Sequence, residues 1–343
     1  MKPAFPHTLQ HFVILALFPL ATLCVRPADA HTHSHGKIHA ALQSAQTSKP
    51  AGDAWAHTLL ERGHADEAMA ELQRVLAAHP QDAVAHNLLC RTYYSEQRWP
   101  GAIDECQRAV DLQPNESEFH TWLGRSYGEA AEHASWFTAL GLARKVHAEF
   151  EDAVRLAPHS VAALSDLGEY AVEAPGFLGG GLDKAESIAQ QLQPIDAEAY
   201  HAQMARIARK RKDPQSQERE LKLAIAQSVA PAHAWMQLAS FEAWRGDYVA
   251  MEQAIRSGLA ADPLHDSALM DGASILIRNK YDPELAKKLL QMYIASQHKT
   301  EESPVFAAET MLGNLLRQQG DLPGAEKEYA AAQALASLYK DGH

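Results

Sequence analysis

Cysteine is scarce in this sequence, and two signatures of metal and redox sites are absent. Three cysteines occur among 343 residues, and no two of them have CxxC spacing. That spacing is typical of zinc and redox sites. The HExxH motif of zinc proteases does not occur either. We therefore expect a protein that is not an enzyme and whose folded part holds no cofactor.

Positive charge is also in short supply. The chain has 31 lysines and arginines against 43 aspartates and glutamates, which gives a formal net charge of −12. Nucleic acids and anionic membranes attract basic surfaces, because both carry dense negative charge. We therefore expect neither nucleic acid nor a membrane surface to be the main partner.

Long apolar runs are absent except near the amino terminus. The run from Phe12 to Val25 follows the basic Lys2 and precedes a small-residue site that ends at Ala30. This layout is typical of a cleavable secretory signal. The run is shorter than the roughly 20 residues of a membrane helix, and Pro19 interrupts it.

We therefore predict that residues 1–30 form a signal peptide that is removed. The mature protein is then exported, periplasmic or secreted, and has no transmembrane span. An uncleaved membrane anchor is the alternative.

The rest of the chain is organised around one stretch, residues 83–116. Its first half carries Leu89 and Tyr93 on one helical face, and Leu123 and Tyr127 repeat this pattern 34 residues later. Its second half has small residues at helical spacing: Ala102, Cys106 and Ala109. No alternating apolar run long enough for a strand follows. The pattern predicts a helix–turn–helix unit with a period of about 34 residues.

This unit resembles the tetratricopeptide repeat, whose pattern is Leu-Gly, Tyr, a Gly-Asp turn, Ala, an aromatic residue, Ala and a final Pro. The resemblance implies an all-α fold, a right-handed superhelical solenoid of about eight helical hairpins over residues 53–343. A polar, His-rich linker at 31–52 precedes it. The clearest repeats are 83–116, 117–158, 232–263 and 306–339. Insertions near Trp136 and at 174–182 also resemble those of exported bacterial tetratricopeptide proteins.

The resemblance also implies where a partner binds. In this family the first helices of the hairpins line a concave groove. Three arginines share the column after the Leu-Gly position, and guanidinium groups bind carboxylates bidentately, so we expect an acidic or carboxylate-ended protein segment. The alternative is that these arginines pair with acidic neighbours such as Glu129 or Glu169. The predicted groove residues are Asn87, Arg91, Tyr94, Trp122, Arg125, Arg206, Arg209 and Lys210.

Two cysteines remain after signal removal, one on each helix of the same predicted hairpin. If the chain turns near Arg98, Cys90 and Cys106 lie at similar height and could form a disulfide, which an exported protein can keep. A bridge requires a close helix crossing. Two reduced thiols packed as small apolar residues are the alternative.

Histidines cluster at the predicted mature terminus, at His31, His33 and His35, with His39 close by. After cleavage, the free amine, two backbone amides and the imidazole of the third residue, His33, could form a square-planar set for Cu(II) or Ni(II). Zinc is a further candidate, since short His-rich tracts are a metal-binding composition. A polar tail without function is the alternative.

These patterns lead to one main function and one alternative. The main one is an exported, non-catalytic scaffold that holds a segment of a partner protein in the concave groove. The alternative is a periplasmic metal-handling protein that uses the His-rich terminus. The paired carboxylates Glu301 and Glu302 lie in a polar context, and we expect them on a solvated surface.

Overall fold

The computed structural model describes residues 52–261 and 267–339. Over these ranges the chain forms sixteen α-helices and no strand. The predicted all-α solenoid of eight hairpins is confirmed. The helices are α1 Gly52–Glu61, α2 Ala65–Ala78, α3 Ala83–Ser95, α4 Trp99–Leu112, α5 Ser117–Glu132, α6 Trp136–Leu156, α7 Val161–Glu173, α8 Leu182–Leu192, α9 Ala197–Lys210, α10 Pro214–Gln227, α11 Ala232–Arg245, α12 Tyr248–Ala261, α13 Ser267–Arg278, α14 Pro283–Ala295, α15 Val305–Gln318 and α16 Leu322–Leu335.

The hairpins stack so that odd-numbered helices of neighbouring hairpins contact each other from α1 to α9 and again from α11 to α13. Each hairpin packs its two helices against each other, and α3 also contacts α5, α5 contacts α7, and α7 contacts α9. The even-numbered helices pack mainly on the odd-numbered helices beside them. We call the surface of the odd-numbered helices the inner face, because this layer is the more closely spaced one.

Local sequence explains where these helices begin and why their partners approach closely. Several helices start after an aspartate whose carboxylate accepts a backbone N–H of the first turn; Asp82 caps α3 through Ala85 N at 3.1 Å. Close packing within a hairpin depends on glycine. A Cβ on Gly124 would lie 2.5 Å from the ring of Phe150, so only glycine lets α6 pack this closely on α5.

A histidine links successive repeats in a way that the sequence pattern did not reveal. The Nδ1 of His120 contacts Glu149 Oε2 at 2.7 Å, and its Nε2 contacts the carbonyl oxygen of Pro114 at 3.0 Å. The same two contacts occur 34 residues earlier, where His86 meets Glu105 at 2.6 Å and a proline carbonyl at 3.0 Å. The hydrogen bond to Glu149 raises the pKa of His120. Each such imidazole ties both helices of a hairpin to the preceding turn.

Both predicted insertions extend the third and fourth hairpins. The first lengthens α6, which has 21 residues and starts at Trp136. The second forms a short 3-10 turn at Gly176–Leu178. This turn is held against α6 by Tyr170, whose hydroxyl donates to the carbonyl oxygens of Ala143 and Leu178 at 2.9 and 2.7 Å.

The last hairpin packs against the first one. Phe306 on α15 and Ala332 on α16 share a buried cluster with Ala65 on α2. The backbone N–H of Ser337 donates to Asp66 Oδ2 at 3.0 Å. The stack of hairpins therefore closes end to end, and the apolar faces of both terminal hairpins are buried against each other.

The second hairpin contains a disulfide. Cys90 on α3 and Cys106 on α4 are bonded, with their Cα atoms 5.2 Å apart, and both residues are fully buried.

None of the sixteen described helices combines the length and apolarity needed to cross a membrane.

The disulfide predicts a measurable stability difference on reduction. It joins residues that are 16 apart, and closing a loop of this size is worth about 3 kcal/mol in the chain-entropy account. We expect a reductant to lower the free energy of unfolding in urea by roughly that amount. The Cys90→Ala/Cys106→Ala variant is the control, since reductant should leave it unchanged. An identical urea midpoint for the wild type with and without reductant would contradict the bond.

The end-to-end contact predicts that Gly63 is more sensitive than an equivalent glycine elsewhere. Gly63 has φ +77°, and a Cβ there would lie 2.9 Å from the backbone nitrogen of Val305 on α15. Gly246 ends α11 with φ +78° and has no atom within 4 Å of its Cβ position. Both alanine variants should lose about 1–2 kcal/mol to backbone strain.

Gly63→Ala should lose a further 1–3 kcal/mol or so, because α15 must move. Urea unfolding of the two variants measures the difference. Equal losses would mean that the closure contributes little to stability.

Candidate partner-binding groove

All eight predicted groove residues lie on odd-numbered helices, and they form two groups on the inner face. One group is on α3 and α5, and the other is on α9. Helix α7 lies between the two groups and supplies carboxylates to both of them. The first group is Asn87, Arg91, Tyr94, Trp122 and Arg125, and the second is Arg206, Arg209 and Lys210.

Arg91 is held by carboxylates from two distant parts of the chain. Its Nε and Nη2 atoms donate to both carboxylate oxygens of Glu301, at 3.1 and 2.7 Å. Its Nη1 donates to Glu118 at 2.9 Å, and Nη2 also lies 3.1 Å from His57 Nε2. The side chains of Arg91 and Glu301 are only 11% and 9% exposed. Burial raises the pKa of Glu301 to about 7, although Arg91 opposes this rise.

Trp122 lies between two guanidinium groups. The Cζ atoms of Arg91 and Arg125 are 5.2 and 4.9 Å from its ring centroid, within the range of cation–π attraction. The ring of Tyr94 meets the same indole edge-on, with centroids 5.4 Å apart. The indole ring of Trp122 therefore helps to orient both arginines.

Arg125 belongs to the buried part of this group. Its Nε donates to Asp166 Oδ2 on α7 at 2.8 Å, and the two side chains are 4% and 6% exposed. Burial raises the pKa of Asp166, while Arg125 lowers it; the net direction is upward. A buried pair of this kind joins α5 to α7 and leaves Arg125 no open face for a partner.

The second group is more open and is matched by carboxylates of α7. Arg209 Nη2 lies 2.7 Å from Glu173, Lys210 Nζ lies 3.0 Å from the same carboxylate, and Arg206 lies 3.5 Å from Glu169. Burial raises the pKa of Glu173, but Lys210 and Arg209 together bring it below its usual value. These side chains are about one fifth to two fifths exposed.

A cavity of about 140 Å³ lies beside α5, α6 and α7. Its acidic lining includes Glu129, Glu132 and Glu169, and the Arg125–Asp166 pair also borders it. Partial burial and the charges of Glu129 and Glu169 raise the pKa of Glu132 to about 7. Acidic side chains therefore outnumber unpaired basic side chains in the lining of this cavity.

The structure thus realises the alternative in which the arginines pair with acidic neighbours. Arg91, Arg125 and Arg206 each have a carboxylate partner within the chain. Which predicted groove residues also contact a partner protein stays a prediction. The expectation of a solvated surface is wrong for Glu301, because its contact with Arg91 buries it, whereas Glu302 is exposed as expected. Sequence reasoning missed the Glu301 contact because the two residues are 210 positions apart.

The sequence also contains a GxSxG pattern, Gly124-Arg-Ser-Tyr-Gly128, which the structure explains without catalysis. In serine hydrolases this motif forms a sharp strand-to-helix turn that exposes the serine. Here it lies inside α5, and Ser126 is fully buried. Its hydroxyl donates to the carbonyl oxygen of Trp122 at 2.8 Å. Ser126 is not placed to act as a nucleophile.

The predicted metal ligands His31, His33, His35 and His39 lie outside the described residues, as does the rest of the 31–52 linker up to residue 51. Within residues 52–261 and 267–339, no group of three or more histidine, cysteine, aspartate or glutamate side chains is arranged to hold a metal ion. Binding of copper, nickel or zinc by the tail stays a prediction.

The two arginine environments predict different stability losses. Arg125→Ala leaves Asp166 buried without its cation, and breaking such a pair costs about 3–5 kcal/mol. Arg209→Ala is the matched control, because its more exposed pair with Glu173 should contribute less than about 1 kcal/mol. Urea unfolding at neutral pH compares the two variants. Similar losses would show that the Arg125–Asp166 pair has no special structural role.

Comparison with known proteins agrees with the repeat architecture. Residues 59–125 match the tetratricopeptide repeat family model. No curated protein matches the sequence.

Several solved structures are similar to this chain at low identity. A thermophilic tetratricopeptide protein from Thermus thermophilus is 19% identical, with 57% of this chain and 98% of that chain covered and a TM-score of 0.48. A tetratricopeptide protein from Parabacteroides merdae is 12% identical, with 77% and 97% covered and a TM-score of 0.45. The human IFIT1 dimer bound to m7Gppp-AAAA is 14% identical, with 83% and 72% covered and a TM-score of 0.45.

These likenesses are too distant to carry an argument about function. The repeat assignment depends instead on the matched segment, which spans α2, α3 and α4 with parts of α1 and α5. Residues 59–125 of this chain therefore resemble tetratricopeptide repeats, and the eight stacked helical hairpins of the described residues have the all-α architecture that this resemblance implies.

Proposed function

We propose that this protein is an exported, non-catalytic scaffold that holds a segment of a partner protein along its inner face. The observation that best supports this proposal is the group of cations on α9, which we call the α9 group. Its members Arg206, Arg209 and Lys210 pair with the carboxylates of Glu169 and Glu173 on the neighbouring helix α7. These charged groups remain partly exposed, so a bound segment can reach them.

The helical framework supports binding without a large rearrangement. Helices place side chains more precisely than loops do, and a stacked array offers an extended surface along which a peptide can lie. Within one hairpin after another, the odd-numbered helices repeat the same orientation. A partner segment that crosses from α7 to α9 meets the carboxylates of α7 and then the cations of α9, which favours recognition by charge pattern.

Export is supported by two independent features. The sequence has the layout of a secretory signal before Ala30. The folded part contains the Cys90–Cys106 disulfide, and such bonds persist in oxidising compartments such as the bacterial periplasm. We propose that the scaffold acts outside the cytoplasm, with protein partners and not nucleic acid, since its net charge is negative.

A pair of charge-reversal variants tests the inner face. Arg209→Glu/Lys210→Glu changes two cations of the inner face, which are 39% and 33% exposed. Arg219→Glu/Lys222→Glu on α10 reverses two cations of an even-numbered helix, which are 63% and 60% exposed. Each variant changes the net charge equally and replaces a cation that lies beside a glutamate.

We expect crosslinking in the native cell envelope, followed by affinity capture, to recover a partner with the wild type and the α10 variant. The α9 variant should recover less than about a tenth as much, because like charges across an interface repel. Circular dichroism checks that both variants are folded. Equal recovery by both variants would remove the α9 group from the partner site.

A further inference from the structure

The loop between the seventh and eighth hairpins contacts the inner face near the amino-terminal end of the described chain. The loop consists of residues 296–304 and connects α14 to α15. Its Glu301 holds Arg91 by two hydrogen bonds, across 210 residues of chain. The next residue, Glu302, is exposed. A carboxylate of the chain itself thus occupies Arg91, one of the arginines for which the sequence predicted an acidic partner.

Several hydrogen bonds hold the loop that carries Glu301 and Glu302 in place. Lys299 Nζ donates to the carbonyl oxygens of Tyr293, Ile294 and Ser296 at 2.9, 3.0 and 2.6 Å, so it fastens the loop to the end of α14. Thr300 and Ser303 pair across the turn that carries Glu301. The hydroxyl of Tyr293 donates to the carbonyl oxygen of Ser303.

The groove side of the contact has the chemistry of a carboxylate receptor. The Nε–Nη2 edge of Arg91 forms the two parallel bonds by which guanidinium groups recognise carboxylates. Trp122 supports the guanidinium plane from one side. The other titratable groups that face this site are His57 on α1, Glu118 on α5 and Glu302 in the loop itself.

Occupation by Glu301 sets a condition for any partner. Arg91 already donates from Nε, Nη1 and Nη2, so another carboxylate can use its forked edge only after Glu301 has left. Departure of Glu301 would leave Arg91 and His57 beside Glu118, which is 61% exposed at the rim. An acidic ligand restores the missing charge, whereas a basic or neutral one does not.

We propose that Glu301 is an internal ligand of the groove, and that the partner carries an acidic segment whose carboxylate displaces the 296–304 loop from Arg91. This inference deepens the proposed scaffold function and rests on it. The internal ligand holds the 296–304 loop against α3 and screens the groove from weakly acidic competitors. Displacement couples partner binding to release of the contact between this loop and the second hairpin.

The test uses the full chain and a defined probe. The probe is a fluorescein-labelled peptide with the sequence of residues 296–304, SQHKTEESP, and its control has glutamine in place of both glutamates. The binding variant is Glu301→Ala/Glu302→Ala. The matched control variant is Glu118→Ala, which removes a carboxylate from the same guanidinium of Arg91 but leaves the loop intact.

Fluorescence anisotropy should show that Glu301→Ala/Glu302→Ala binds the acidic peptide at least tenfold more tightly than the wild type. Glu118→Ala should stay within about threefold of the wild type, the glutamine peptide should not bind, and adding Arg91→Ala to the double variant should abolish binding. Equal affinity of the double variant and the wild type would overturn the proposal, as would binding that survives the loss of Arg91.

A second measurement does not depend on folding of the variants. Hydrogen exchange of the wild type at saturating acidic peptide should become at least tenfold faster in residues 296–304, with no change for the glutamine peptide. Unchanged exchange would overturn displacement. If the α9 variant loses its captured partner while both peptide tests fail, the scaffold function stands and only the internal ligand is rejected.

Discussion

Burial of each hairpin against the next is the interaction on which the rest of this structure depends. Two helices cannot bury their apolar stripe alone, so every hairpin needs a neighbour on both sides. An open array would leave the first and last hairpins with one uncovered face each. Here Phe306 packs on Ala65, and the two terminal faces cover each other. The closure also fixes the position of the 296–304 loop relative to the groove.

Carboxylates of the chain itself give the inner face its electrostatic character. The arginines of this acidic chain do not form a free cationic track, because carboxylates from α7 and from the 296–304 loop pair with them. These pairs differ in how easily a partner could take the place of the carboxylate. Asp166 is buried with Arg125 between two adjacent helices, where loss of either charge is costly. Glu301 reaches Arg91 from a loop of another hairpin, so it can leave without dismantling a hairpin.

Particular residues show how far sequence reasoning reached. The Leu89–Tyr93 pattern and its recurrence 34 residues later predicted the hairpins, because helical spacing is a local property. The arginine column was placed on helices α3, α5 and α9, which do line the inner face. Its pairing was left open between two alternatives, since local sequence does not say which carboxylate is nearest. Sequence reasoning missed the pairs of His86 with Glu105 and of His120 with Glu149. The two members of the first pair are 19 residues apart and those of the second are 29 apart, because an insertion lies between His120 and Glu149.

The sequence by itself determined the helices, their pairing into eight hairpins and the nearness of Cys90 to Cys106. Apolar spacing, caps and turns act within about 34 residues, so these features depend on local sequence. Only the tertiary structure decided that the array closes and that Glu301 lies on Arg91. These two residues are 210 positions apart. Whether they meet depends on the small rotation between successive hairpins, summed over the whole stack, and no single repeat encodes that sum.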